Sequence, residues 1–203
     1  MKYSESTLFA IYLLNKFKYI IFDFDNTLSH THLATHLETD TWEQFVNYSG
    51  PKYLSNITLI KSLLKYKTNQ IIFVFSHGDN EKGIRAVLDN ELGKKYSRLI
   101  FILCGRSEKQ TSSSFRPTNS LSKDSQFQYK LAKADMFKYI KEKCNIKMTK
   151  NNTVFFDDTK LNLDINCDKL NFCTRVDIID KNNPLNKNLN AYVNQINKQI
   201  NAL

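Results

Sequence analysis

The sequence predicts an α/β fold, a mainly parallel central sheet sandwiched between layers of helices. Three observations carry that expectation. Short, almost continuously apolar runs such as KYIIFDF (Lys18 to Phe24) and QIIFVFS (Gln70 to Ser76) have the pattern of strands buried on both faces. The segments between such runs repeat apolar residues at three- and four-residue spacing, as helices with one buried face do. The two kinds of segment alternate along the chain, which favours a parallel sheet over hairpins.

Each element follows in order. Leu8 to Leu14 is apolar without interruption. It is too short to cross a bilayer, and no basic start and small-residue cleavage site frame it, so it reads as a buried helix rather than a signal peptide. KYIIFDF is the first strand. Ile57, Ile60, Leu63 and Leu64 mark a helix over Ile57 to Tyr66, and QIIFVFS is the second strand. NEKGIRAVLDNEL turns Ile84, Val87 and Leu88 inward as a helix, and RLIFILC (Arg98 to Cys104) is the third strand. Gly105 to Gln126 is polar, Ser-rich and aperiodic, hence a loop. Phe127 to Cys144 returns to helix, with Met136, Phe137, Ile140 and Cys144 as its apolar stripe. NTVFFDDTKLNL (Asn152 to Leu163) is a fourth strand ending in two acids, and NFCTRVDII (Asn171 to Ile179) a fifth. From Asn186 onward, Leu189, Tyr192, Val193, Ile196 and Ile200 share one helical face. Residues 1–180 thus read as one core. Residues 181–203 read as an added amphipathic helix, packed on that core or leading into a further segment.

Composition agrees. At 203 residues, 41% hydrophobic, the chain fills one domain core, and its five glycines and three prolines exclude a collagen-like or linker protein. A net charge of +9 leaves open acidic partners (phosphates, nucleic acid, an anionic membrane) or a merely solvated Lys-rich surface. The C-terminal helix, free of acids, is the segment expected to reach an anionic membrane if one is bound. Cys104, Cys144, Cys167 and Cys173 form no C-x-x-C pair and have no histidines at zinc spacing. They are expected as free thiols in a reducing, cytoplasmic compartment. A cysteine phosphatase is excluded, because Gln110 stands where its arginine would follow Cys104.

In parallel sheets ligands bind beyond the carboxyl ends of the strands. Those ends carry Asp23 and Asp25, Ser76, and Asp157 and Asp158. This order resembles the haloacid dehalogenase-like (HAD) superfamily, whose phosphatases use an aspartate nucleophile. The D-x-D-x-T motif is Asp23 to Thr27, the strand-ending Ser is Ser76, and the acidic pair is Asp157-Asp158. The helix lysine is best matched by Lys133 in KADMF, with Lys130 as the alternative. The form FFDDxxxN, ending at Asn162, looks most like the small magnesium-dependent members.

The resemblance implies a three-layer Rossmann-like fold and a set of roles. Asp23 would be the nucleophile that forms an aspartyl-phosphate. Asp25 would protonate the leaving oxygen, then activate water, while its backbone carbonyl binds Mg2+. Ser76 and Lys133 would hold the phosphoryl oxygens. Asp157 would be the second metal carboxylate, with Asp158 assisting or holding Lys133, and Thr27 and Asn162 would support the site. The cation is required because a carboxylate and a phosphate dianion repel one another. His30, His32 and His36 read as loop positions beside the site, His77 as a possible substrate contact and Trp42 as a core anchor.

Neither the stretch between Thr27 and Ser76 nor Gly105 to Gln126 is long enough for the full cap domain of superfamily members that act on metabolites. A capless or minimally capped site implies bulky substrates. Phosphorylated protein or peptide, phosphotyrosine ahead of phosphoserine, is therefore expected. A nucleic-acid-end phosphatase is the alternative, though no RNP-type strand or aromatic-basic interleaving accompanies it. A recruited binding module with a degenerate phosphatase site is the reading from a different class.

Overall fold

The computed structural model describes residues 2–30, 53–77, 81–104, 125–180, 182, 184–186 and 189–201, with side chains from Lys133 onward in the helix that starts at Ser125. The two stretches where a cap would be inserted, 31–52 and 105–124, lie outside the described residues. So do His32, His36, Trp42 and the side chain of Lys130.

Five parallel strands form one sheet in the order β3-β2-β1-β4-β5. They are β1 (Tyr19–Asp23), β2 (Ile71–Ser76), β3 (Ile100–Cys104), β4 (Thr153–Asp157) and β5 (Thr174–Asp177). Among the described residues the helices are α1 (Glu5–Lys16), α2 (Ile57–Tyr66), α3 (Glu81–Leu92), the short α4 (Lys94–Ser97), α5 (Ser125–Lys143), the single turn α6 (Lys160–Leu163) and α7 (Leu189–Ile200).

The predicted α/β architecture is the one observed, and alternation along the strands explains its layers. Ile20 and Phe22 of β1, with Val74, Val154 and Phe156 of its neighbours, join one apolar cluster. On that side α1 contributes Phe9 and Leu13, α2 Leu59 and Leu63, α3 Ile84 and Leu88, and α7 Tyr192 and Ile196. Tyr19 and Ile21 point the other way, with Phe73, Phe75 and Phe155, onto Met136, Phe137 and Ile140 of α5. All five β1 residues are buried, which is why this strand reads as continuously apolar up to Asp23. Each fully buried Leu, Ile or Phe contributes roughly 1.5–3 kcal/mol. Two polar caps tie the helices to this core. Ser4 accepts the amide of Thr7 at 3.2 Å, and Asn56 accepts that of Leu59 at 2.9 Å while donating to Leu185 O at 2.7 Å.

β5 is an edge strand, and α7 covers it with amide side chains. Gln199 accepts from Arg175 N (3.0 Å) and donates to Arg175 O (2.8 Å), while Gln195 accepts from Asp177 N (2.9 Å) and donates to Asp177 O (3.1 Å). The helix satisfies the backbone groups that a sixth strand would have paired. Its apolar residues Leu189, Tyr192 and Ile196 are buried.

Three expectations are corrected. The fourth strand stops at Asp157, because the Asp157 carboxylate accepts the amide of Thr159 at 2.8 Å and turns the chain into α6. Cys167 and Cys173, expected as free thiols, form a buried disulfide, while Cys104 and Cys144 take part in no disulfide. A π-type turn over Asp164–Lys169 folds the chain back, and Phe172 N donates to Asn166 O at 2.9 Å, which brings the two Cα atoms to 4.7 Å. Cys144, placed on the apolar stripe of α5, is exposed just beyond the helix end. Among the described residues, no helix is long and apolar enough to cross a membrane.

Candidate active site

Sheet register assembles the site. Phe22 pairs with Phe156, so Asp23 and Asp157 leave adjacent strands at the same level. Asp23 pairs with Phe75, which sets Ser76 one residue beyond it on the other flank. Neighbouring strands are about 4.8 Å apart, so two buried carboxylates side by side would repel without a counter-charge. Lys133 of α5 supplies one from the opposite layer. Its Nζ forms ion pairs with Asp157 Oδ2 at 2.7 Å and with Asp23 Oδ1, and its side chain is 1% exposed.

After Asp23 the chain makes a tight turn over Phe24–Leu28. Asp25 has extended backbone angles, and Asn26 adopts the left-handed conformation at φ 54, ψ 12, which asparagine tolerates better than most residues. Ser29 closes the turn, its amide donating to Phe24 O at 2.9 Å and its hydroxyl to the same oxygen at 3.1 Å. Thr27 is fully buried, with no hydrogen-bond partner for Oγ1 among the described residues.

The two acids after β4 part company. Asp157 is fully buried, and both its oxygens are occupied. Oδ2 takes Lys133 and the Asn162 amide (3.0 Å); Oδ1 takes Thr159 N (2.8 Å) and the same Asn162 amide (3.1 Å). Asp158 is partly exposed and accepts from the Thr159 hydroxyl at 3.2 Å. Asp158 was expected either to assist at the metal or to hold Lys133; the direct bond to Lys133 is made by Asp157. Asn162 was expected on a strand but sits on α6, from which its amide reaches back to Asp157.

A carboxylate only accepts hydrogen bonds, so the Asn162 NH2 must face Asp157 and its Oδ1 must face outward. That oxygen meets His77 Nε2 at 3.3 Å, which assigns the His77 proton to Nε2. Asn166 steadies the arrangement from below, donating to Asn162 O at 2.7 Å. The sequence reading offered His77 only as a substrate contact and missed Asn166. Neither residue carries a local signal, because His77 meets Asn162 only once distant segments are brought together and Asn166 reaches Asn162 O only through the turn after α6.

Electrostatics follow the geometry. Burial pushes the Asp23 carboxyl well above its ordinary value near 3.8; Lys133 opposes this, and the neighbouring Asp157 and Asp158 charges reinforce it. Burial pulls Lys133 down, but the two carboxylates outweigh it and hold the ammonium above its usual value. Burial, then the Lys133 charge, lower His77 to about 3, so its imidazole is neutral at physiological pH.

The residues fit a hard divalent cation. Carboxylate oxygens of Asp23, Asp157 and Asp158 lie within 4.8 Å of one another, an all-oxygen donor set of the kind Mg2+ prefers. Asp157 already spends its oxygens on protein donors, so Asp23 and the more accessible Asp158 are the pair better suited to hold it. The structure thus brings together Asp23, Lys133, Asp157 and Asn162 by direct bonds. Asp158 lies beside them, and Ser76, Asp25 and Thr27 stand at the same strand ends.

No protein-family model matches the sequence, and no curated protein matches it. Two solved structures do match by shape: the HAD domain of effector protein Lem4 from Legionella pneumophila, and an inactive mutant of that domain. Each superposes with a TM-score of 0.56 and 14% sequence identity over 89% of this chain and 93% of the other. With its parallel order β3-β2-β1-β4-β5 and its acids at the strand ends, the chain has the fold of a HAD domain.

Proposed function

We propose that the protein is a magnesium-dependent phosphomonoester hydrolase that works through an aspartyl-phosphate on Asp23. The observation that carries this reading is the buried Asp23–Lys133–Asp157 arrangement at the end of the central strand, with Asp158 beside it. Asp23 and Asp158, with the Asp25 carbonyl implied by the D-x-D motif, would hold the cation, whose chemistry is to neutralise phosphate charge.

Asp23 attacks phosphorus, the bond from phosphorus to the ester oxygen breaks, and Asp25 gives its proton to the departing alcohol. Asp25 then takes a proton from water as that water attacks the aspartyl-phosphate, releasing inorganic phosphate and restoring Asp23. Lys133 opposes the burial that favours a protonated Asp23 and holds its carboxylate in line, and Ser76 donates to a phosphoryl oxygen. Asp157 acts through Lys133, a change from the metal role expected of it. Phosphorylated protein or peptide is the favoured substrate, with phosphotyrosine first. Its support is the lack of any cap-length insertion in the sequence, together with the ease with which an aryl phosphate leaves.

Hydrolysis of an aryl phosphate, with Mg2+ and with EDTA, tests the reading against Asp23→Asn. Activity should require the cation and fall by at least about a thousandfold in the variant. Activity surviving in Asp23→Asn, or no activity from folded protein over a range of pH and metals, would sink it.

A further inference from the structure

The parallel sheet that gathers acids at one end gathers cations at the other. Asp23, Asp157, Asp158 and Asp177 all stand at strand ends. At the strand starts, register puts Lys18 level with Gln70 and Asn152. Ile71 N donates to Lys18 O at 2.9 Å, Lys67 Nζ reaches Gln70 O at 3.5 Å, and Asn152 donates to Lys147 O at 2.9 Å. Thr174, opening β5, donates to Lys150 O at 2.8 Å. Lys67, Lys18, Lys147 and Lys150 therefore form one row across β2, β1, β4 and β5, and Arg98 extends it to β3. Helices returning antiparallel to the strands end at the same pole, where their last turns add Lys16, Lys65, Lys143 and Lys198.

Helix C-termini favour cations for reasons of their own, and Lys67 and Arg98 are the C-cap residues of α2 and α4, but Lys147 and Lys150 lie in the loop before β4 and Lys18 leads into β1. The acids near this end, Asp89, Glu91 and Glu142, keep their charge but are far outnumbered by the cations named above.

We propose that this basic pole docks the protein on an anionic membrane surface, with Asp23 and the catalytic end facing away from the lipid. The chemistry favours lipid over nucleic acid. All the cations but Arg98 are lysines, point charges on flexible stems that suit a diffuse negative surface, rather than the guanidinium forks that grip single phosphates. Tyr66 (36% exposed) and Leu99 (39% exposed) flank the row, and Lys65 Nζ sits 5.1 Å from the Tyr66 ring centroid. Amphipathic side chains of this kind settle at headgroup depth. The cations spread over the end of a sheet rather than along a groove with stacking aromatics. The C-terminal helix is not the anchor, because its apolar face is turned into the core.

Sedimentation of the full chain with phosphatidylcholine vesicles, with and without phosphatidylserine, tests this. The comparison is with the triple charge reversal Lys18→Glu, Lys147→Glu, Lys150→Glu, three exposed or part-exposed residues outside the site. Binding should require phosphatidylserine, weaken with salt, and fall more than about tenfold in the variant. Unchanged circular dichroism would show that the variant folds; a double reversal of Lys18 and Lys147 substitutes if it does not. Absence of phosphatidylserine-dependent binding at low salt, or equal binding by the folded variant, overturns the proposal. Tighter retention on duplex DNA or single-stranded RNA than on these vesicles at equal salt also overturns it, in favour of nucleic acid. None of these outcomes depends on phosphatase activity.

Discussion

Removing the positive charge from Lys133 isolates the interaction on which the site is built. In Lys133→Met the volume is nearly kept, but two buried carboxylates lose their shared partner. Their oxygens lie within 4.8 Å, and two unit charges at that distance repel by about 3.5 kcal/mol at an effective dielectric of 20. Breaking a buried pair by removing one partner costs 3–5 kcal/mol in general, a range of roughly the same size. Asp157 keeps its bonds from Asn162 and Thr159, and Asp23 can take up a proton, so about 3 kcal/mol is expected. Urea unfolding at pH 7 in EDTA would measure the loss as a lower midpoint with unchanged slope. Adding Mg2+ should recover part of it, since a divalent cation replaces the missing charge. A loss under about 1 kcal/mol, or no response to the cation, would refute the view that Lys133 holds the two acids together.

Four further outcomes follow from the structure. Asp23 has a folded pKa above its unfolded value, so the stability it contributes is complete below about pH 3.8 and lost as pH rises through the folded value. Metal-free Asp23→Asn should therefore be more stable than wild type at pH 7, with the gap closing toward pH 4 in paired urea titrations. His77→Ala should lower kcat by about fivefold, the worth of one hydrogen bond, and His77→Gln should restore most of it. Nitrogen-15 NMR should find His77 neutral and protonated on Nε2 from pH 8 to 5; a charged or Nδ1-protonated ring contradicts the orientation given to Asn162. Reducing Cys167–Cys173, which closes a span of 6 residues, should cost roughly 2 kcal/mol of stability in thermal unfolding with and without reductant.

The strands and the main acids were legible because each is a local signal. A buried parallel strand must be apolar throughout, so Asp23 and Asp157 stand out where the apolar runs of β1 and β4 stop. Lys133 was legible only through the resemblance, since nothing in KADMF shows that this lysine crosses a layer to reach β1 and β4. What escaped were consequences of close packing between distant segments. The division of labour between Asp157 and Asp158 depends on the Thr159 turn and on the donors that α5 and α6 bring to Asp157. The disulfide escaped because its six-residue spacing matches no cysteine motif; only the π-type turn makes it short in space.

The amide side chains of Gln195 and Gln199 carry a consequence for solubility. An unpaired parallel edge is a template on which another chain can add a strand, and four of the β5 backbone groups are withheld from that reaction by two glutamines. Detaching α7 would therefore do more than expose Tyr192 and Ile196. It would open a hydrogen-bonding edge and an apolar face together, the combination that seeds self-association. In this fold α7 guards the β5 edge against the addition of a further strand.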